Sequence, residues 1–491
     1  MTKRQKNKIK IYKKVGYSFL AFYAMAAIAL LTFCADLNMI PWLYMLVAGV
    51  VLTIFGVLFI IMQEKFALSI LSDVLCTLLA VGCILGCYYI NKTNTTIQDV
   101  ATADTQRDVV SVYVMEDDPA QTIEDAADYR FGISSTADVE NTEKTVQELE
   151  KTLGKKLDTE EDKNLFSMVD KLQEGEIDAI ILNNAYLGMI ADVDKYEWVE
   201  TGLRELTSVS HEVEAEAETA PDNVPESFVM YLSGIDTYGS VSTRSRSDVN
   251  ILAVVNTKTK NILLLSTPRD YYVDYSVTGG ARDKLTHAGI YGVDASIDAL
   301  KRLYGIDIEY YLRINFTGFV DIIDALDGVE VYSDYDFTVE NIRDYHQGYN
   351  QLTGIEALAF ARERYSFQEG DYQRAKNQME VIRAVVDKCT SSSMLANYSS
   401  VMDAIAGSFE TNMPEDQIAS LVKMQLTDMA KWNITSYTVS GTGMYAETYS
   451  MPGQELYVIE PDQATVAEAK TLIREVLGTD DKSSYSDESA Q

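Results

Sequence analysis

The stretch STRSRSDVNILAVVN (242–256) sets Arg244, Arg246 and Asp248 at alternate positions just before a strand-like apolar run. Paired arginines beside an aspartate are conspicuous in a chain of 491 residues with a formal charge of -33. Arg269 follows a second apolar run in STPRD (266–270), where Pro268 ends the strand ladder. Arg362 and Arg364 are again two apart, in FARERYS (360–366). Arg374 opens a helical stretch, 371–389, that Asp371 is placed to cap. Gln378, Ile382, Val385 and Cys389 continue the line of Arg374 at spacings of three and four, so Arg374 and Gln378 end an apolar stripe and point toward a cleft. Asp236, in SGIDTYG (233–239), closes the first strand of the region.

These residue types share one chemistry. Planar guanidinium forks donate paired, charge-assisted hydrogen bonds to phosphate. Two aspartates suit Mg²⁺, a hard cation usually held by one or two carboxylates and completed by phosphate oxygens and water. Strand ends converging on one edge of an α/β sheet form the usual ligand crevice. Asp236 and Asp248 as metal ligands, with the arginines as anion donors, describe a pyrophosphate site. The competing reading leaves the arginines as surface ion pairs of an acidic chain, each worth about 0–1 kcal/mol.

Other chemistries have less support. Only His211, His287 and His346 exist, and the acidic stretch around His211 reads as a linker, which leaves two histidines for any triad or zinc site. GTGMY (441–445) lacks the lysine and the strand–loop–helix setting of a phosphate loop. Of five cysteines only Cys389 lies beyond the apolar segments, so no disulfide framework or cysteine zinc site is available there.

The elements that must position the site begin with a membrane anchor. Tyr17–Ala35, Trp42–Met62 and Phe66–Ile90 are apolar stretches near the ~20 residues a spanning helix needs. No small-residue cleavage site follows the first, which argues against a signal peptide. Seven basic residues in the tail 1–16, against Asp36 alone in the first loop, keep the N-terminus cytoplasmic. An odd number of spans then exports the rest. Asp73, inside the third span, reads as a hydrated or helix-paired residue. Residues 1–90 hold 8 basic and 3 acidic side chains, leaving 33 basic and 71 acidic beyond them, a net of -38. That exterior repels anionic polymers and excludes non-specific nucleic-acid binding by it.

Beyond a polar spacer at 91–107, strand-like VVSVYVM (109–115) and DAIILN (178–183) alternate with helical periodicity at 141–153 and 162–174, an accessory α/β unit over 108–210. An acidic, proline-containing linker is expected at 211–225. From 226 to 478, strands at SFVMYLSGI, VNILAVV, NILLLST, YYLRINF and VEVY alternate with helices at 293–303, 317–326 and 371–389, which implies a layered α/β fold around a buried sheet. Residues 479–491 read as a disordered tail.

SGIDTYG, TRSRSDVNILAVVN, LSTPRD, DKLTHAGIYG, NFTGFVDIIDALDGVEV, LTGIEALAFARERYS and DYQRAKNQMEVI, in that order, resemble the successive blocks of the LytR-CpsA-Psr family of bacterial cell-envelope proteins, over about 228–390. Three spans, an extra α/β unit and then this domain resemble the capsule-associated CpsA branch of Gram-positive cocci. The resemblance implies an α-β-α phosphotransferase that moves a glycan from a polyprenyl-pyrophosphate carrier onto peptidoglycan outside the membrane, with Mg²⁺. Capsule assembly proteins are further partners it brings into view. It makes Asp236 and Asp248 the metal ligands and gives the pyrophosphate to Arg244, Arg269, Arg362, Arg364, Arg374 and Gln378, with Arg246 ranked below them. Asp248 as general base is the weakest of these roles, because metal ligation lowers its basicity. His287 replaces the polar residue usual in its block and receives no role. Phe316, Phe319 and Ile323 are placed to line a prenyl pocket. Two rival functions remain: a membrane sensor or transcriptional attenuator of capsule expression, and a lipid-pyrophosphate phosphatase with water as acceptor. Direct promoter reading is disfavoured, since about 16 residues before the first span are fewer than a helix-turn-helix needs. No motif in 108–210 supports or excludes a ligand sensor there.

Overall fold

Three helices open the chain: α1 (Lys3–Leu37), α2 (Trp42–Met62) and α3 (Phe66–Ala101). The computed structural model describes residues 3–101, 105–214, 224–237, 240–391 and 398–478. All three helices contain segments long and apolar enough to cross a membrane, Tyr12–Leu37, Trp42–Met62 and Leu68–Thr96. Asp73 accepts a hydrogen bond from Gln63 Nε2 at 2.7 Å, so it is helix-paired. At the same end Lys13 meets Glu64 at 2.9 Å. At the opposite end Asn38 accepts from Lys423, Tyr44 donates to the Leu426 carbonyl, and Lys92 pairs with Asp403 at 2.5 Å. Both ends that meet the large domain are therefore on one side of the bundle. The spacer expected over 91–107 is largely helix, because Lys92 and the buried Thr96 continue α3 onto the segment around Met402 and Asp403.

The accessory unit is a five-stranded sheet in the order β3-β2-β4-β1-β5. Its members are β1 (Thr105–Met115), β2 (Arg130–Ser134), β3 (Asp158–Asp162), β4 (Ala179–Asn183) and β5 (Leu203–Glu214). β2 runs parallel to β3 and β4, and β1 is antiparallel to β4 and β5. Helices α4 (Val139–Leu153), α5 (Leu165–Glu174) and α6 (Asn184–Ala191) cover it. α5 starts where Asn164 accepts from two backbone amides and ends at Gly175, whose positive φ of 72° suits a residue without Cβ. β4 reads AIILN and is buried at every position, as a central strand with both faces covered should be. The acidic stretch expected as a linker from 211 first completes β5. His211 and Glu212 pair with Asp108 and Arg107, and cross-strand pairing overrides the missing apolar period. Residues 215–223 and 479–491 lie outside the described residues.

The larger sheet has six strands, ordered Phe409–Thr411, Tyr310–Ile314, β6 (Ser227–Ile235), β7 (Ser247–Asn256), β8 (Asn261–Ser266) and Asn433–Thr438. Alternation along the strands splits the core in two. Val229, Tyr231, Leu252, Val254, Leu263 and Leu265 face the helices Val293–Tyr304 and Gln463–Leu477. Ile251, Ala253 and Leu264 face Met379 and Ile382 of the helix Asp371–Cys389. This makes the domain helix-sheet-helix, and β6 and β8 end, and β7 begins, at the edge where the arginines gather. GTGMY begins a strand, Gly441–Thr448, hairpinned to Met451–Pro461.

Candidate active site

Asp236 follows β6 directly, and Asp248 is the second residue of β7. Both carboxylates are held by arginines. Arg246 donates through Nε to Asp236 at 3.0 Å and also through Nη2, while Ser245 Oγ donates to the other oxygen at 2.7 Å. Arg269, carried past the end of β8, directs Nη1 at both oxygens of Asp248, 3.0 and 3.1 Å away. Thr286 Oγ1 adds a third bond to Asp248 at 3.1 Å. Burial alone would push the Asp248 carboxyl up, but Arg269, Arg246 and Arg374 override it and hold the group well below the usual carboxylate range.

The helix Asp371–Cys389 brings Arg374, whose Nη2 donates to Asp371 at 2.9 Å. Asp371 does not cap this helix as expected. The N-cap is Gly370, and the carboxylate is drawn to Arg374 and, at 3.8 Å, to Arg364. Gln378 Nε2 donates to the Ala361 carbonyl at 3.2 Å, pinning the end of the helix Gly354–Arg362. A capping box of Thr353 and Glu356 starts that helix. Arg362, its last residue, is exposed and lies with its guanidinium 4.4 Å from the centroid of Phe316. Phe316 in turn donates its backbone N–H to the Thr237 carbonyl, next to Asp236. Asp236, Asp248, Arg246, Arg269, Arg362, Arg364, Arg374 and Gln378 thus form one connected cluster at the strand ends. Of the three expected prenyl-contacting residues, Ile323 and Phe319 pack with Val329, Phe360 and Val381, and Phe316 underlies Arg362.

Arg244 is the exception. Its Nε donates to Gln106 at 3.0 Å and its Nη1 lies 3.6 Å from Asp108, both on β1. The backbone continues this joint: Arg107 N–H donates to Ser242 and Arg244 N–H to Arg107. The separation arises in the irregular segment ahead of β7, where a bridge between Thr243 and Arg107 draws Arg244 onto β1. Arg244→Ala is accordingly expected to speed amide exchange at Arg107 and at position 244, and to lower any phosphate-transfer activity by roughly tenfold or less, the scale of one charge-assisted bond. A loss as deep as that of Arg362→Ala would return Arg244 to the phosphate grip.

The same joint carries a pH dependence. Burial pushes the Asp138 carboxyl up to about 6, with Asp108 adding to the rise and bonds from Asn183 and Asn141 opposing it. Burial also raises Asp108 against the pull of Arg244. A raised carboxyl binds its proton more tightly when folded, so the stability it contributes is present below about pH 4 and lost as pH climbs through about 6. A carbon-detected NMR titration should place the Asp138 midpoint near 6, with exchange protection in β1 and β4 falling above it. A midpoint near 4 would contradict this burial.

Several residues at the site carried no sequence signal of their own. Asp192, just after α6, accepts from Arg246 Nη1 at 2.6 Å and lies 3.9 Å from Arg269 Nη2. Lys284 pairs with Asp270 at 3.0 Å beside Arg269. Asp270, Lys284 and Thr286 at least fall inside quoted blocks, whereas Asp192 belongs to a unit with no motif. His287, buried, hydrogen-bonds Asp283 at 2.7 Å away from the arginines.

Two buried polar atoms in the cluster have no hydrogen-bond partner among the described residues: Nε of Arg269 and Oγ1 of Thr237. Such atoms leave room for a water or an anion oxygen, although Nε of Arg269 also lies 3.7 Å from Asp270. Among the described residues no cluster of three or more His, Cys, Asp or Glu could hold a metal ion by itself. Two aspartates with lone pairs to spare still fit a divalent ion whose shell is completed by phosphate and water.

The family profile LytR_cpsA_psr matches residues 197–471, more than half of the chain, and the chain belongs to the LytR-CpsA-Psr family. The polyisoprenyl-teichoic acid-peptidoglycan teichoic acid transferase TagU of Bacillus cereus is 37% identical over 193 residues, 39% of this chain and 62% of the relative. The corresponding transferase TagT of Bacillus subtilis is 32% identical over 233 residues, 45% of this chain and 71% of the relative. The solved structure of B. subtilis TagV covers 52% of this chain and 98% of that one, at 26% identity and a TM-score of 0.44. The chain thus spans 62% of the length of the TagU relative.

Proposed function

We propose that this protein is a membrane-anchored glycan phosphotransferase, acting outside the cell to move capsular polysaccharide or a related anionic glycan from a polyprenyl-pyrophosphate carrier onto peptidoglycan. The observation that carries this reading is the arginine cluster around two aspartates at the strand ends, with a buried Nε on Arg269 that makes no hydrogen bond among the described residues. The printed names of the relatives, teichoic acid transferases acting between a polyisoprenyl carrier and peptidoglycan, support the same donor and acceptor classes. The tail's positive charge supports a cytoplasmic N-terminus. So does the joint placement of Asn38 and Lys92 against the large domain, which puts the outer end of the bundle next to the site's own fold.

Arg269 and Arg374 bind and orient the pyrophosphate, with Arg362 and Arg364 at the rim and Gln378 fixing the turn that carries them. Asp236 and Asp248 would hold Mg²⁺, which when bound would neutralise phosphate charge as a Lewis acid. A sugar hydroxyl of peptidoglycan attacks the phosphorus next to the glycan. The bond from that phosphorus to the bridging oxygen breaks, the prenyl phosphate leaves, and the hydroxyl proton departs to a base. Guanidinium groups fixed before the reaction stabilise the charge that builds on the leaving oxygen. The arginines that hold the Asp248 carboxyl low weaken it as that base.

Incubating the full-length protein in detergent with lipid-linked glycan, with and without peptidoglycan, tests the reading. Glycan bonded to wall polymer is the expected product. Free glycan phosphate in equal amounts in both reactions would instead make the protein a phosphatase.

A further inference from the structure

Arg246 is 6% exposed, and its donors are committed on both sides. On one side Nε and Nη2 hold Asp236. On the other, Nη1 donates to the Gly188 carbonyl at 3.0 Å and to Asp192 at 2.6 Å. Gly188 and Asp192 are four residues apart, one turn of α6 and its C-cap, and so present one face. Space is reserved as well: a Cβ on Gly188 would stand 2.7 Å from Arg246 Nη2 and 3.0 Å from Cζ. A guanidinium enclosed and spent in this way acts as a strut, not as a phosphate contact. Asp236 has only Arg246 and Ser245 among the described residues to fix it, and it sits at the end of its strand.

We propose that Asp192 and Gly188 of the accessory unit are positioning groups of the transfer site. Through Arg246 they fix the Asp236 carboxylate as a divalent-ion ligand, so ion affinity depends on how the accessory unit docks. This rests on the reading of Asp236 as an ion ligand. Partners that orient a ligand from behind typically change metal affinity by about 10–100-fold when lost. Removing Asp192 also strips one counter-charge from a buried arginine, so Arg246 is held from the Asp236 side alone and its orientation is no longer fixed from behind.

The test is an Mn²⁺ titration of the full-length protein in detergent, read by electron paramagnetic resonance, alongside kinetics with Mg²⁺ varied. Asp192→Ala and Gly188→Ala should weaken Mn²⁺ binding by about 10–100-fold. Metal-free prenyl-pyrophosphate binding should stay within about threefold, less than the loss of one phosphate contact, and kcat should recover at saturating Mg²⁺. Asp192→Glu should restore part of the affinity. Should Gly188→Ala fail to fold, the isosteric Asp192→Asn takes its place with the same expectation. Wild-type Mn²⁺ affinity in these variants, or a kcat that saturating Mg²⁺ does not recover, overturns the proposal. Because the titration involves no glycan transfer, tight wild-type binding that the variants lose upholds it even if transfer itself is absent. A wild-type protein that binds no Mn²⁺ overturns both readings.

Discussion

Arg362→Ala should lower kcat/KM for glycan transfer by about 100-fold or more, the usual scale for deleting one fixed donor to a developing charge. Its melting temperature should change by no more than about 2 °C, as for an exposed residue outside the core. The structure separates the two effects. Arg362 is exposed, its guanidinium rests on the Phe316 ring, and no carboxylate pairs with it among the described residues. Truncation therefore breaks no buried ion pair. It removes a cation whose neighbours lead, through Phe316 and Thr237, directly to Asp236. If Arg362→Ala unfolds, or transfers at the parental rate, the residue has no part in phosphate binding.

Asp248→Ala should cost more, about 10³-fold or beyond in transfer, with loss of any Mg²⁺ stimulation. Stability should fall too, because Arg269 and Thr286 lose their acceptor, and a buried donor left unsatisfied costs about 1–3 kcal/mol. Asp248→Asn keeps the shape and most of the hydrogen bonding, so it separates chemistry from folding: transfer should stay low while the melt recovers. The acid behaviour has a defined sign. A carboxyl held low when folded contributes stability above its ordinary value near 4 and loses it only as pH falls further, so this group does not limit stability at neutral pH. Metal-stimulated turnover in Asp248→Ala would refute its role as an ion ligand.

Local pattern was enough for the three apolar helices, through the length of their apolar runs, and for the strands β6, β7 and β8 and the helix Asp371–Cys389, because each of these buries a face whose period can be counted along the chain. It was also enough for the residue types of the site, since arginine forks and paired aspartates announce phosphate chemistry wherever they sit. Order in space was another matter. Arg244 and Arg246 look equivalent in sequence, yet one is tied to β1 and the other is clamped between Asp236 and α6. Asp371 looks like a cap and serves as a counter-ion. Asp192 has no local mark at all and lies 56 residues before Asp248, near which it ends up through Arg246 and Arg269. Charge pairing acts over a few ångströms in space and is indifferent to separation along the chain, so only the docking of the accessory sheet on the larger domain could decide which carboxylate each arginine would meet.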